Sequence, residues 1–310
     1  MNIHEKFFSK IGLNYAILGI SAIIIQIVLL NIIGILHADL LSDFNMLVIL
    51  TSLCNYILPF PIFYFLMRKI ASQKLEKHPL DIKIFLLYFA ISITLMWIGN
   101  IAGLLITAAI GNFFQTDIIN PVERLINSSD IMLNLMLVSI IGPIFEEILF
   151  RKFLVDRTIK YGARVSIILS AIIFGFFHGN ISQFFYAFLL GGFFAYVYIR
   201  TGKIIYTILL HISLNLLGSV ISLFMGESAQ AVLSNAFGPF DLAVVGIYFL
   251  VIISAFLFGT YGLLMYKKGK FNGAKTQIAL KNPIKTMILN PGMICFVAFF
   301  IIEIIYVLTA

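Results

Sequence analysis

Long apolar runs separated by short polar stretches dominate the chain, a pattern typical of a protein that crosses a membrane repeatedly. Eight runs are long enough to span a hydrocarbon core as helices: Ile11–Leu36, Met46–Met67, Ile84–Ile110, Ile131–Val155, Ile181–Ile199, Ile204–Met225, Leu242–Tyr266 and Met287–Ala310. A further run, Val165–Phe177, is shorter, since about 13 residues rise only about 20 Å against a core of about 30 Å. The pattern predicts an all-α, polytopic membrane bundle of about nine transmembrane helices, with a range of 8–9.

The basic residues fall almost entirely on one side of this arrangement. If the N-terminus is cytoplasmic and the loops alternate, 20 of the 21 Lys and Arg residues lie inside and Arg124 alone lies outside. This asymmetry is what the positive-inside rule requires of a multi-pass protein. The sequence therefore predicts a cytoplasmic N-terminus.

Composition excludes a soluble protein, because 61% of the residues are hydrophobic and only 11% are charged. The net charge of +7 comes from residues between the apolar runs. We assign that charge to membrane topology and predict no nucleic-acid partner.

One predicted span contains charged residues, in the stretch Gly142–Arg151. An ionisable side chain at the bilayer centre costs about 2.5–3.5 kcal/mol on insertion scales, so such residues need partners. Arg151 follows Glu147 by four residues, one helical turn on, and is predicted to pair with it. Glu146 is rotated by about 100° around the helix, so its partner must come from another helix.

Two of the five histidines, His178 and His211, lie within apolar segments and are the candidates to meet Glu146. Asn215 lies one turn after His211, which places an imidazole and a carboxamide on one helical face. Counting about 1.5 Å per residue from the nearest basic residues puts all four side chains at a similar depth. The sequence thus predicts one polar site assembled from three helices.

These side chains permit two kinds of chemistry. Glu146 can take a proton from a water that His178 holds, while His211 and Asn215 donate to the oxyanion of a peptide undergoing hydrolysis. Alternatively, Glu146, His178 and His211 form a carboxylate-plus-two-imidazole set that zinc accepts, with one position left for water. Neither GxSxG nor HExxH occurs in the chain.

Three short motifs resemble those of the CPBP family, the CAAX protease and bacteriocin-processing (Abi) intramembrane endopeptidases. They occur in the family's order on successive predicted helices: Glu146-Glu147-xxx-Arg151, Phe174-xxx-His178 and His211-xxx-Asn215. The resemblance covers roughly Ile131–Leu217, and the helices on either side of it carry none of the motifs.

The resemblance implies that Glu146 and His178 activate water and that His211 and Asn215 stabilise the oxyanion. Glu147 belongs to the expected catalytic set, and Arg151 is expected to support it. Members of this family have been described both as glutamate proteases and as metalloproteases. No cofactor is needed for the first mechanism, and zinc is possible for the second.

The resemblance also suggests partners and a location. Eukaryotic members of the family trim prenylated CAAX proteins, and bacterial members are linked to peptide maturation or to bacteriocin self-immunity. We therefore expect membrane lipids around the protein and a membrane-embedded or lipidated peptide or protein as substrate. A multi-pass protein of a bacterial plasma membrane is the expected setting, and the sequence leaves the oligomeric state open.

The chain divides into three predicted regions. Residues 1–130 form the N-terminal helices and an outer loop, 131–225 the CPBP-like core, and 226–310 the C-terminal helices.

Two other functions agree with buried Glu, His and Asn side chains: a catalytically silent membrane scaffold or immunity protein, and a proton-coupled transporter. Against a transporter, no matching pair of interrupted helices occurs in the two halves of the chain.

Overall fold

The computed structural model describes residues 1–115, 118, 125, 128–265 and 278–309, with the backbone alone for Val220, Ser222 and Phe224. The described residues form helices and no strand, which confirms the all-α prediction. Within these described residues, seven helices are long and apolar enough to cross a membrane, and two apolar helices, Ala163–Phe177 and Ile204–Ser219, are shorter. The polytopic membrane fold is confirmed, whereas the number of crossings and the side of the N-terminus remain predictions.

The described helices are labelled α1 to α11 along the chain. In chain order they are α1 (Ile3–Leu36), α2 (Phe44–Met67), α3 (Ile82–Phe114), α4 (Ile131–Tyr161), α5 (Ala163–Phe177), α6 (Ile181–Thr201), α7 (Ile204–Leu216), α8 (Ser222–Leu233), α9 (Pro239–Leu264), α10 (Pro283–Ile288) and α11 (Pro291–Thr309). A π-helical turn, Leu217–Ile221, joins α7 to α8.

Local capping moves two of the predicted boundaries. Helix α1 begins at Ile3, well before the first apolar run, because Asn2 accepts hydrogen bonds from the first turn and Glu5 completes a capping box. At the other end of the chain, the side chain of Asn290 accepts from the backbone of Met293, so α11 starts at Pro291. The run predicted from Met287 is therefore split between α10 and α11.

Some of the predicted features lie outside the described residues. They are the span ends Tyr266 and Ala310, the outer Arg124, and four of the inner basic residues, Lys267, Lys268, Lys270 and Lys275.

Helices α2 and α4 depart from regular α geometry. In α2 a π-helical turn, Leu53–Ile57, precedes a break at Pro59, whose ring removes a backbone donor. In α4 two π-helical stretches, Asn134–Ile141 and Ile148–Val155, flank the α-helical segment Gly142–Glu147. π-helical distortions are rare and occur frequently at functional sites. Both departures lie close to the charged residues of α4.

Packing places α4 in the middle of the bundle. Helix α6 packs between α5 and α3, α1 packs along α11, and α7 lies against the central segment of α4. One apolar cluster includes Phe150 and Phe174, and a second includes Phe194 and Leu210. Phe174 and Phe194 both face the guanidinium of Arg151, so the charged residues of α4 lie where the two clusters meet.

Candidate active site

Glu147 and Arg151 form a fully buried ion pair on α4. The Nε atom of Arg151 lies 2.9 Å from Oε2 of Glu147, and both side chains are 0% exposed. Nη2 of Arg151 also donates to Oε1 of Glu147 at 3.1 Å. The one-turn spacing is responsible, because residues four apart face each other on a helix. The predicted pair is thus confirmed.

Arg151 also ties three helices together through Ser170. Its Nη1 atom donates to the hydroxyl of Ser170 on α5 at 2.8 Å. That hydroxyl donates in turn to the backbone carbonyl of Gly191 on α6 at 3.1 Å. The guanidinium therefore has anionic, polar and aromatic partners, which fixes the position of Glu147.

His211 on α7 lies against both glutamates. Its Nδ1 atom is 3.1 Å from Oε1 of Glu147, within hydrogen-bonding distance. Its Nε2 atom is 3.6 Å from Oε2 of Glu146, beyond that distance. The ring packs among aromatic side chains, with centroids 5.9 Å from Phe174 and 5.4 Å from Phe194. The imidazole is therefore held on one side and open towards Glu146 on the other.

Glu146 has its contacts on other helices, as its position on α4 predicts. Besides His211, it meets Tyr56 of α2, whose hydroxyl donates to Oε1 at 3.1 Å. The Glu146 side chain is 16% exposed, compared with 0% for Glu147. Of the two adjacent carboxylates, Glu146 is the one that an approaching molecule can reach.

His178 follows the last residue of α5 and lies within electrostatic reach of both Glu146 and His211. Its Nδ1 atom is 2.9 Å from the carbonyl of Phe174, to which it donates, leaving Nε2 as the free acceptor of a neutral ring. His178 and Glu146 share no direct hydrogen bond in the described structure. Gly179 then turns the chain with φ +63°, a conformation that favours glycine.

Asn215 lies one turn beyond His211, but its side chain contacts the backbone of α4. Nδ2 donates to the carbonyl of Val138 at 2.9 Å, which ties α7 to the π-helical part of α4. A carboxamide has two N–H donors, so one remains for another acceptor. The structure thus gives Asn215 a structural contact that its sequence position did not predict.

The geometry gives limited support to a metal site. Among the described residues, no group of three or more His, Cys, Asp and Glu side chains converges to hold a metal ion. Glu146, His178 and His211, the predicted zinc set, therefore do not form a three-ligand site as they stand.

The structure brings most of the predicted site together. Glu146, Glu147, His211 and Arg151 are in contact, and His178 is near them. Sequence reasoning missed Tyr56, although a signal existed, because Pro59 and Pro61 interrupt an apolar run just after it.

Comparison with known proteins identifies a family for the segment that contains this site. Residues 128–217 match the family described as "Type II CAAX prenyl endopeptidase Rce1-like". The matched segment contains all three motifs and lies almost entirely within the predicted core 131–225, although the division of the chain into regions remains a prediction. The resemblance to CAAX proteases is therefore confirmed for this segment, at the level of the family. No curated protein and no solved structure matches the chain significantly.

Proposed function

We propose that this protein is an intramembrane endopeptidase of the CAAX type, which hydrolyses a peptide bond within or next to the membrane using water. One observation carries the proposal: the imidazole of His211 lies between two adjacent carboxylates, of which only Glu147 is neutralised by an arginine. Glu146 is left as a reachable carboxylate beside a fixed imidazole, the arrangement that general base catalysis needs.

The charges of the site support distinct roles for the two glutamates. Glu147 and Arg151 together carry no net charge, so Glu147 acts by holding Nδ1 of His211. The described hydrogen bonds of Arg151 go to Glu147 and Ser170, which leaves Glu146 to act as the base. With Nδ1–H of His211 directed at Glu147, a proton on Nε2 is what His211 needs in order to donate to the oxyanion.

Water is the proposed nucleophile. Glu146 removes one proton from a water whose other O–H donates to Nε2 of His178, and the resulting hydroxide attacks the carbonyl carbon of the substrate. The carbon–nitrogen bond then breaks, and Glu146 passes the proton to the departing amine. In this proposal the water bridges His178 and Glu146, which interact electrostatically and share no direct hydrogen bond in the described structure.

Two donors are proposed to stabilise the oxyanion that forms on the substrate carbonyl. They are Nε2–H of His211 and the second N–H of Asn215, whose first N–H is bonded to Val138. Removing one donor of this kind from other hydrolases costs about 10²–10³ in kcat. The tie to Val138 supports this role because it limits the motion of the carboxamide.

The substrate is proposed to be a membrane-embedded or lipidated peptide or protein. The site is built on helices that are apolar enough to span a membrane, and the matched family is named for prenyl endopeptidases. A bacterial plasma membrane, and a role in peptide maturation or bacteriocin self-immunity, are part of the same proposal.

The test is peptide cleavage by the purified full-length protein in detergent. Wild type, Glu146→Gln and Asp156→Asn are compared on a panel of hydrophobic and prenylated peptides. Asp156→Asn is the matched control, because it removes a buried carboxylate further along the same helix. We expect Glu146→Gln to lower kcat/KM by about 10²–10⁴, the usual contribution of a general base, while the control cleaves like wild type.

Each outcome has a separate meaning. Equal cleavage by wild type and Glu146→Gln would contradict the role of Glu146. Failure of both to cleave any peptide would favour the scaffold or transporter alternatives. Measuring zinc content, with and without a chelator, separates the mechanisms. Loss of activity on chelation and recovery on adding zinc would make Glu146, His178 and His211 metal ligands.

A further inference from the structure

Tyr56 lies outside the three motifs and is hydrogen-bonded to Glu146. Its hydroxyl donates to Oε1 of Glu146 at 3.1 Å, slightly longer than is usual for an O–H···O hydrogen bond. Catalytic hydrogen bonds are often long without substrate and shorten when the complex forms. The contact joins α2 to α4 across a gap of 90 residues in the sequence.

The backbone on both helices is arranged to accommodate this hydroxyl. Tyr56 lies on the π-helical turn Leu53–Ile57, immediately before the break at Pro59. On α4, a Cβ atom added to Gly142 would lie 3.1 Å from the Tyr56 hydroxyl oxygen, closer than most contacts of this kind. The missing side chain of Gly142 therefore provides the space in which the hydroxyl lies.

Several ionisable groups surround Glu146. Those within electrostatic reach are Tyr56 from α2, Arg151 from α4, His178 from the end of α5, Tyr186 from α6 and His211 from α7. Among them, Tyr56 is the one that the described structure shows donating a hydrogen bond to Glu146.

We propose that Tyr56 is a positioning residue for Glu146, holding Oε1 so that Oε2 faces His211 and acts as the base. This inference rests on the proposed function. Without the bond, the carboxylate can rotate about its terminal torsion, which has a broad energy minimum. In this proposal Tyr56 acts on the reaction through Glu146 and does not itself contact the substrate.

Tyr56→Phe tests this assignment, because phenylalanine keeps the ring beside Phe145 and removes only the hydroxyl. We expect kcat to fall about 10- to 100-fold, the cost of losing one hydrogen bond to a charged group, with KM unchanged. Tyr64→Phe is the matched control on the same helix, because its ring is 44% exposed and lies away from the glutamates. It should leave kcat at the wild-type value.

Infrared spectroscopy of the carboxyl groups supplies a readout that does not depend on cleavage. The band that disappears in Glu146→Gln is assigned to Glu146, and it should shift in Tyr56→Phe but not in Tyr64→Phe. If wild type cleaves no peptide, the proposed function fails while this band still decides whether Tyr56 bonds Glu146. An unshifted band, an unchanged kcat, or a raised KM at constant kcat would each overturn the positioning role.

Gly142→Ala gives a second, independent test. The added methyl group would lie 3.1 Å from both the Tyr56 hydroxyl oxygen and the Leu137 carbonyl oxygen. A shift of the hydroxyl by a few tenths of an ångström should lower kcat. In the Tyr56→Phe background the hydroxyl is already gone, and the same substitution should cost less. Purely additive losses in kcat would show that Gly142 does not act through Tyr56 and would overturn this part of the inference.

Discussion

Helix α4 carries two polar clusters, each built on an ion pair between residues four apart. In one cluster every charged group has a close partner, and in the other an additional carboxylate lies beside the pair. Glu147 pairs with Arg151 and Lys152 pairs with Asp156, each across one helical turn. In the second cluster, Lys152 lies 2.7 Å from Asp156, and Tyr198 donates to the other carboxylate oxygen at 2.7 Å. Lysine, aspartate and tyrosine form a closed set in which each charge has its partner.

The first cluster contains two carboxylates, Glu146 and Glu147, but only one arginine, Arg151. Glu147 and Arg151 neutralise each other, whereas Glu146 and His211 lie beside them with 3.6 Å between Oε2 of the glutamate and Nε2 of the imidazole. A pair that is complete stabilises a fold, whereas a carboxylate left beside a fixed imidazole is available for proton transfer. The two clusters therefore differ in the additional carboxylate, Glu146, and in the exposure of the cation, which is 0% for Arg151 and 49% for Lys152.

The largest expected effect on stability comes from breaking the buried pair. Arg151→Met leaves the Glu147 carboxylate fully buried without its arginine, and breaking such a pair typically costs about 3–5 kcal/mol of the free energy of unfolding. Thermal unfolding of the purified protein in detergent measures the loss. The double variant Glu147→Gln/Arg151→Met removes both charges and should recover much of it. Equal stability of Arg151→Met and wild type would show that the pair is not needed.

A smaller effect is expected in the closed cluster. Asp156→Asn keeps an acceptor for Tyr198 but removes the charge opposite Lys152, so we expect a loss of about 1–3 kcal/mol in the free energy of unfolding. The kcat of the folded protein should stay at the wild-type value, because this cluster is proposed to be structural. A drop in kcat comparable with that of Glu146→Gln would remove the distinction between the two clusters.

Helical periodicity was sufficient to predict much of this arrangement. The apolar runs predicted the helices, and the spacing of four predicted the contact between Glu147 and Arg151, because both follow from local geometry. The requirement that Glu146 find a partner on another helix followed from its angle on α4. In the structure, Nε2 of His211 on α7 lies 3.6 Å from Oε2 of Glu146. Counting depth along the helices could suggest that these two side chains are close, but not which atoms face each other.

The contacts that sequence reasoning missed all depend on tertiary packing. The side chain of Asn215 bonds the Val138 carbonyl, and Tyr56 bonds Glu146, through helix pairs whose relative rotation no local pattern specifies. The π-helical turns of α2 and α4 change that rotation further. A proline in an apolar run indicates that a helix is interrupted, but not which side chain the interruption turns towards the site.

The smallest effect is expected at Lys152, and it tests how far the closed cluster depends on its cation. Lys152 is 49% exposed, whereas the Asp156 side chain is 7% exposed. An exposed partner is well screened, so Lys152→Met should cost at most about 1 kcal/mol in the free energy of unfolding, measured as above. Tyr198 continues to donate to Asp156 in this variant, which keeps the buried carboxylate hydrogen-bonded. A loss as large as that of Arg151→Met would mean that Asp156 needs a full counter-charge, and the two ion pairs of α4 would then be equivalent.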